Sequence, residues 1–182
     1  DEITAHDRIR LYDSFGVCEW DTVKANIEYM HHADGIEIFY IDHLTALATG
    51  QGTDERVELE RVTAAIAMLA KRLNVIITMV SHLATPEGKP HEEGGRVTIR
   101  HFKGSRAIGF WCHFMFGLER NQQAEDLVER QTTTFRILKD RYTGQSTGMT
   151  IPLNYNHETG KLYQANPFAV TPALAVGFDT PF

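Results

Sequence analysis

The chain has 182 residues, 42% of them hydrophobic and 23% charged, and a net charge of −6. This length and composition fit one globular domain with its own core and exclude a disordered or collagen-like chain. The negative charge argues against a surface covered with phosphate contacts but leaves room for a local basic strip.

Nothing in the sequence has the character of a membrane anchor or a targeting segment. The longest apolar run, residues 75–80, is much shorter than the roughly 18 apolar residues that a membrane helix needs. No basic-then-apolar signal segment opens the chain. Two cysteines far apart in sequence, Cys18 and Cys112, do not make a disulfide framework, so we expect a cytoplasmic protein.

Strand and helix patterns alternate along the first half of the chain, which predicts an α/β fold with a parallel sheet. Alternating apolar residues over 9–15 predict a first strand, and apolar residues at helical spacing predict a helix over 21–34 that ends at Gly35. A buried strand is predicted over 36–42. Thr53 is predicted to cap the following helix, which carries one apolar stripe.

The second half of the chain favours strands. A third strand over 75–80 is followed by a polar loop, and three further strands are predicted over 114–118, 133–139 and 149–155. Residues 143–148 are typical of the hairpin between the last two strands, and Pro152 suggests that the final strand lies at an edge. From Gln164 onward the sequence predicts a flexible tail.

Two strand ends carry residues suited to chemistry. Asp42 ends the 36–42 strand, where open α/β sheets bind ligands and where nucleotide hydrolases hold Mg²⁺ with a carboxylate. His82 follows the neighbouring strand, so both side chains are expected to face one crevice. A helix cap or turn for Asp42 and a structural role for His82 stay open as alternatives.

Two basic segments stand out in this acidic chain. Residues 96–106 hold four fixed positive charges and no acid. Such a charge run is commonly a solvated loop, and a groove that binds a nucleic-acid backbone is the functional alternative. Lys139 and Arg141 share a strand face by period two, which suits an arginine finger offered to a neighbouring subunit's phosphate. A strand with solvated charges is the alternative.

Gly88-Lys89-Pro90 is not a phosphate loop, because Pro90 stands where Ser or Thr is required.

Seven segments in order form a larger pattern, namely 6–15, 41–43, 81–83, 91–94, 104–108, 118–123 and 136–144. Together they resemble the C-terminal part of the ring-shaped replicative DNA helicase of podoviruses, the primase–helicase type within the DnaB-like superfamily. The resemblance implies a RecA-like, mostly parallel sheet flanked by helices with a C-terminal antiparallel hairpin, incomplete on its N-terminal side. It assigns 1–163 to the helicase ATPase domain and 164–182 to a flexible tail.

The resemblance also implies roles for individual residues. Asp42 is expected to act on Mg²⁺ through water, His82 to sense the γ-phosphate, and Arg141 to be the arginine finger. The nucleotide, ATP or dTTP, is expected to contact Lys139, with Arg120 and Tyr155 on either side of its base. Single-stranded DNA is expected to bind Lys89, Arg96 and Lys103 in the channel of a hexameric ring.

The family's first nucleotide-binding motif and catalytic glutamate lie upstream of the matched region and are not among these residues. Because the chain opens with Asp1 rather than Met, we expect a piece of a longer helicase that alone does not hydrolyse ATP. Phe110 stands near the place of the family's coupling glutamine. Two alternatives stay open: a non-catalytic module that binds or regulates a complete helicase, and a RecA-like recombination ATPase.

The last residues carry one further expectation from the resemblance. In that family a mobile tail ending in Phe docks onto the replicative DNA polymerase. Here Phe178, Asp179 and Phe182 are the candidate contacts, and with a single acidic side chain the aromatic rings are expected to matter more than charge. A frayed, inert end is the alternative. No membrane partner is expected.

Overall fold

The computed structural model describes residues 9–13, 18–48 and 54–165. Twelve helical and strand elements follow one another there: α1 (Trp20–Asp34), β1 (Ile38–Ile41), a 3₁₀ turn (Leu44–Leu47), α2 (Glu55–Leu73), β2 (Ile76–Met79), a 3₁₀ turn (Ile99–His101), α3 (Ser105–Trp111), β3 (Phe114–Arg120), α4 (Leu127–Gln131), β4 (Thr132–Asp140), β5 (Thr150–Asn156) and β6 (Lys161–Gln164). The chain divides into one unit of residues 1–85 and 98–115 and a second of 86–97 and 116–182.

The first unit is built on a parallel pair of strands. β1 and β2 pair from Ile38 opposite Ile76 to Ile41 opposite Met79, as the alternating strand and helix pattern predicts. The apolar stripe of α2 supplies much of the core, with side chains that are at most 3% exposed: Leu59, Val62, Ile66 and Leu69. Because these residues recur every three or four positions, they line one face of the helix.

The ends of α1 and α2 follow their local sequence. Gly35 takes a left-handed φ of 69° just after α1, a conformation that glycine adopts without steric penalty. The N-cap of α2 is Asp54, whose carboxylate accepts a hydrogen bond of 2.9 Å from the Arg56 backbone N–H. The predicted cap, Thr53, lies outside the described residues.

The second unit holds an antiparallel sheet in the order β3-β4-β5-β6. β4 and β5 pair from Thr132 opposite Asn154 to Arg136 opposite Thr150, which confirms the predicted hairpin. β5 also pairs antiparallel with β6, with Leu153 opposite Gln164. β6 was not predicted as a strand, and its last residue was assigned to the tail. The α/β fold class is therefore confirmed, with the parallel and antiparallel strands in separate sheets.

Two local predictions were wrong. In the predicted strand 9–15, residues 9–13 have no strand, and the last two lie outside the described residues. Alternation makes a strand only where a neighbour accepts and donates the backbone hydrogen bonds. Pro152 lies on β5 between two strands rather than on an edge strand. Proline has no N–H to donate, and in a strand the N–H of a residue would point the same way as its carbonyl. The Pro152 carbonyl accepts from Ala165 N–H at 2.8 Å, just beyond the end of β6, so β6 loses no ladder hydrogen bond and the proline is tolerated.

One face of the parallel pair carries large apolar side chains in contact with solvent. Ile38, Tyr40 and Ile76 are 51%, 79% and 60% exposed, whereas alternation buries Phe39 on the other face. Parallel strands are normally covered on both faces.

None of the described helices is both long and apolar enough to cross a membrane.

Candidate functional site

The site in the first unit lies where β1 and β2 end. Asp42 follows β1 directly and is exposed, and the chains stay paired beyond the strands through Val80 N–H to Ile41 O and Leu44 N–H to Val80 O, both 2.9 Å. The carboxyl ends of parallel strands meet at one edge, so His82 arrives beside the residues that follow Asp42. The rings of His43 and His82 lie with their centroids 4.0 Å apart.

The chain after β2 pairs with the segment that carries the basic residues. Lys103 N–H donates to the His82 carbonyl at 3.1 Å, and Ala84 N–H donates to the His101 carbonyl at 2.6 Å. Leu83 and Phe102 form an antiparallel bridge between these bonds. The backbone of Lys103, a predicted DNA contact, is thus hydrogen-bonded directly to the backbone of His82, the predicted phosphate sensor.

In the second unit, Lys139 and Arg141 lie on either side of a tightly bonded aspartate. β4 ends at Asp140, so Arg141 is the first residue of the turn rather than part of the strand. The Asp140 carboxylate accepts hydrogen bonds from the backbone N–H groups of Tyr142 and Thr143 and from the Ser146 hydroxyl. Bonds from Thr143 and Ser146 hold the pKa of Asp140 well below its usual value, and they fix the turn from which Arg141 projects.

Arg120 and Tyr155 share one face of the four-stranded sheet. On β3 every second residue is exposed, including Phe116 and Arg120, and the Phe116 ring lies 5.0 Å from that of Phe135 on β4. Phe135 pairs with Ile151 on β5, and alternation puts Tyr155 on that same face. Arg120 donates through Nε to the Arg130 carbonyl at 2.8 Å, and Tyr155 is 46% exposed.

An open cavity of about 370 Å³ borders Arg120. Lys89 also lines it, as do residues of β3, α4 and β4, whereas Arg96 and Tyr155 do not: the rest of the lining is Glu93, Gly94, Glu119, Asn121, Asp126, Val128, Glu129, Thr132 and Thr134. The loop that carries Lys89 passes very close to the backbone of Gly95. A Cβ at Gly95 would lie 2.1 Å from the Lys89 carbonyl oxygen, so only glycine allows this approach. This cavity has room for a base or a ribose beside Arg120.

Sequence reasoning missed the buried ion pair beneath this cavity. Glu119 accepts two hydrogen bonds from Arg136, at 2.7 and 2.9 Å, and one from Val97 N–H at 2.9 Å. Burial alone would raise the pKa of Glu119, but these bonds outweigh it and hold the pKa below its usual value. One signal in the sequence could have pointed to this pair: Glu119 is the one acidic residue of β3, and it falls at a position that the alternation of the strand buries.

Asp42 fits the Mg²⁺ expected of a nucleotide hydrolase. Its carboxylate is exposed and has no hydrogen-bond or ion-pair partner among the described residues. The described residues hold no cluster of three or more His, Cys, Asp or Glu suited to a metal. Mg²⁺ is commonly bound through one or two carboxylates, with water and nucleotide phosphates completing its coordination, so a single exposed acid is compatible with it.

Comparison with known proteins identifies chains that are similar to this one. No protein-family model matches the chain. It is 36% identical over 166 residues to a DNA helicase/primase of Enterobacteria phage T3, a match that covers 89% of this chain and 28% of the relative. The chain is therefore similar, over most of its own length, to part of a phage DNA helicase/primase. It spans little more than a quarter of the length of that relative.

Solved structures support a RecA-like fold for this chain. One solved structure, described as an ATPase domain, matches 87% of the chain with a TM-score of 0.69, and 55% of that domain is covered. A DnaB-like replicative helicase, solved for its interactions with primase, matches 87% of the chain with a TM-score of 0.68 over 38% of its own length. Both are 16% identical, so they support the fold alone.

Proposed function

We propose that the chain is the C-terminal portion of an ATP-driven ring helicase that moves along single-stranded DNA and unwinds duplex DNA during phage replication. The observation that carries the proposal is the edge formed by the ends of β1 and β2. There an exposed carboxylate, Asp42, comes directly before His43, whose ring lies 4.0 Å from that of His82, and the backbone of His82 is bonded to that of Lys103. This edge joins a nucleotide site to a basic DNA-binding segment.

The nucleotide chemistry that we propose is divided between neighbouring subunits. Mg²⁺, held by Asp42 through water, would neutralise charge on the phosphates of ATP or dTTP. His82 would bind at the γ-phosphate, and Arg141, with Lys139 beside it, would reach the nucleotide of the adjacent subunit. Arg120 and Tyr155 share a sheet face, which supports their proposed places beside the base.

This chain has no phosphate loop, so we expect it to be inactive by itself and active within the full-length protein. Purified full-length protein should separate a forked DNA duplex when Mg²⁺ and ATP or dTTP are present, and should not do so with a non-hydrolysable analogue. Strand separation is followed with a fluorophore and a quencher on the two strands. DNA-dependent hydrolysis without unwinding would favour a recombination ATPase, and a complete protein without hydrolysis would favour a binding module.

Single-stranded DNA binding should depend on Lys103 and Lys89. Both side chains are exposed, and each phosphate contact that is lost should reduce the slope of log affinity against log salt by about 0.7. We therefore expect Lys103→Ala and Lys89→Ala each to weaken binding to oligonucleotides of any sequence, measured by fluorescence anisotropy at several salt concentrations. Arg96→Ala is expected to behave in the same way.

Lys71→Ala is the matched control, because Lys71 is also exposed but lies in the last turn of α2. It should leave both affinity and slope unchanged. A variant that lowers affinity without changing the slope would show that the lysine supports folding rather than contacting phosphate.

The C-terminal residues are proposed to bind the replicative DNA polymerase, although Phe178, Asp179 and Phe182 lie outside the described residues. Deletion of Phe182 from the full-length protein should weaken polymerase binding, because burial of an aromatic ring supplies most of the energy of such a short anchor. Surface plasmon resonance measures this binding, and unwinding should be unchanged. Unaltered polymerase binding would identify an inert end.

We also propose that the protein acts in the host cytoplasm.

A further inference from the structure

A buried hydroxyl group lies between the ends of β1 and β2. Thr45 is 5% exposed, and its Oγ1 lies 2.6 Å from Nδ1 of His43 and 3.5 Å from Nδ1 of His82. The same Nδ1 of His43 lies 3.2 Å from the Ala46 backbone nitrogen. Neither the resemblance nor the motifs of the sequence give Thr45 a role.

The direction of each hydrogen bond follows from the backbone. A backbone N–H can only donate, so Nδ1 of His43 is the acceptor of the bond from Ala46 and carries no proton. The short contact between His43 Nδ1 and Thr45 must then be donated by the hydroxyl, which uses the single hydrogen of Thr45. Its oxygen can therefore only accept from His82, whose Nδ1 must carry the proton.

We propose that Thr45 is a positioning residue that fixes the tautomer of His82 and presents its Nε2 to the nucleotide. The assignment of the tautomer depends only on this hydrogen-bond chain, whereas its consequence for catalysis rests on the proposed function. The contact of 3.5 Å is long, as catalytic hydrogen bonds often are before the substrate binds.

The tautomer decides what His82 can bind. In the neutral ring, Nε2 has a lone pair and no hydrogen, so it accepts a hydrogen bond from water. A phosphate oxygen has no hydrogen to donate, so a neutral His82 held in this form would contact the γ-phosphate through a water that donates one hydrogen to Nε2 and the other to a phosphate oxygen. Without Thr45, the ring is free to place its proton on Nε2 instead, the form that free histidine prefers.

The first test is the tautomer of His82 in the 182-residue chain labelled with ¹⁵N-histidine. Long-range ¹H–¹⁵N spectra distinguish the two forms, and His82→Gln assigns the signals among the nine histidines. We expect Nδ1–H in the wild type and in Thr45→Ser, which keeps the hydroxyl, and a shift towards Nε2–H in Thr45→Val. An Nε2–H wild type, or identical His82 signals in Thr45→Val, would overturn the proposal, and the wild-type measurement needs no variant to fold.

The second test is steady-state ATP hydrolysis by the full-length protein on single-stranded DNA. Thr45→Val should lower kcat on the order of tenfold, the size of effect typical of a residue that orients a site ligand, while KM changes less than about twofold. Thr45→Ser should restore kcat. A Thr45→Val protein with wild-type kcat would refute the positioning role. A wild-type protein that does not hydrolyse ATP would refute the proposed function and leave the tautomer result intact.

Discussion

Arg141→Ala is expected to lower DNA-stimulated ATP hydrolysis by the full-length ring about 10³- to 10⁵-fold, the contribution of an arginine finger. Arg141 is exposed and is the first residue of a turn that the Asp140 carboxylate fixes, which gives it a rigid base from which to reach a neighbour's phosphate. Phosphate release measures the rate, and native mass spectrometry shows whether the ring is retained. Near-normal turnover in intact rings would remove Arg141 from the active site.

Two matched variants separate this role from a general loss of charge. Arg141→Lys keeps the positive charge but lacks the planar fork of donors that recognises phosphate, so it should remain strongly impaired. Arg56→Ala removes another exposed arginine, from the first turn of α2, and should hydrolyse ATP normally. Full activity of Arg141→Lys would reduce the role of Arg141 to a simple charge.

Arg136→Met is expected to destabilise the fold by about 3–5 kcal/mol, because it leaves a buried carboxylate without its partner. The side chain of Glu119 is only 8% exposed, and that of Arg136 is 17% exposed. Urea unfolding of the chain, followed by circular dichroism at neutral pH, measures the loss. Arg72→Met breaks the more exposed pair between Arg72 and Glu28 and should cost less than about 1 kcal/mol.

The pH dependence of this loss has a definite sign. In the wild type the pKa of Glu119 is lowered, so the stability from the pair is fully present above about pH 4.3, the ordinary pKa of glutamate, and is lost as the pH falls through the lower folded value. In Arg136→Met, burial should raise the pKa of Glu119 instead. The difference between the two proteins should therefore shrink on acidification to about pH 4, and a constant difference would show that charge is not its cause.

The sequence predicts the elements whose signal is periodic. The apolar stripe of α2 and the buried runs of β1 and β2 were identified because one face of each element must be covered, which imposes a spacing on the residues. Asp42 and His82 were identified as strand-end residues for the same reason. Short elements such as α3 and α4 have too few turns for a period to be visible, and β6 depends on pairing with β5.

Contacts between distant segments could not be predicted in the same way. The bond from Lys103 to the His82 carbonyl, the contact of Thr45 with His82 and the Glu119–Arg136 pair join residues separated by 17 to 37 positions. Such contacts follow from packing and from the need to satisfy buried polar groups, which no local pattern encodes. The candidate nucleotide and DNA residues rest on motif resemblance, and they stay predictions until variants are measured.

Mixing two inactive variants tests most directly whether these residues form a nucleotide site between subunits of a ring helicase. Full-length Asp42→Asn and Arg141→Ala should each be inactive, because one lacks the Mg²⁺ ligand and the other the arginine finger. In rings assembled from equal amounts of both, about one interface in four joins an intact Asp42 to an intact Arg141 across the subunit boundary. DNA-stimulated phosphate release well above that of either variant is the predicted result; mixed rings as inactive as their parents would contradict it.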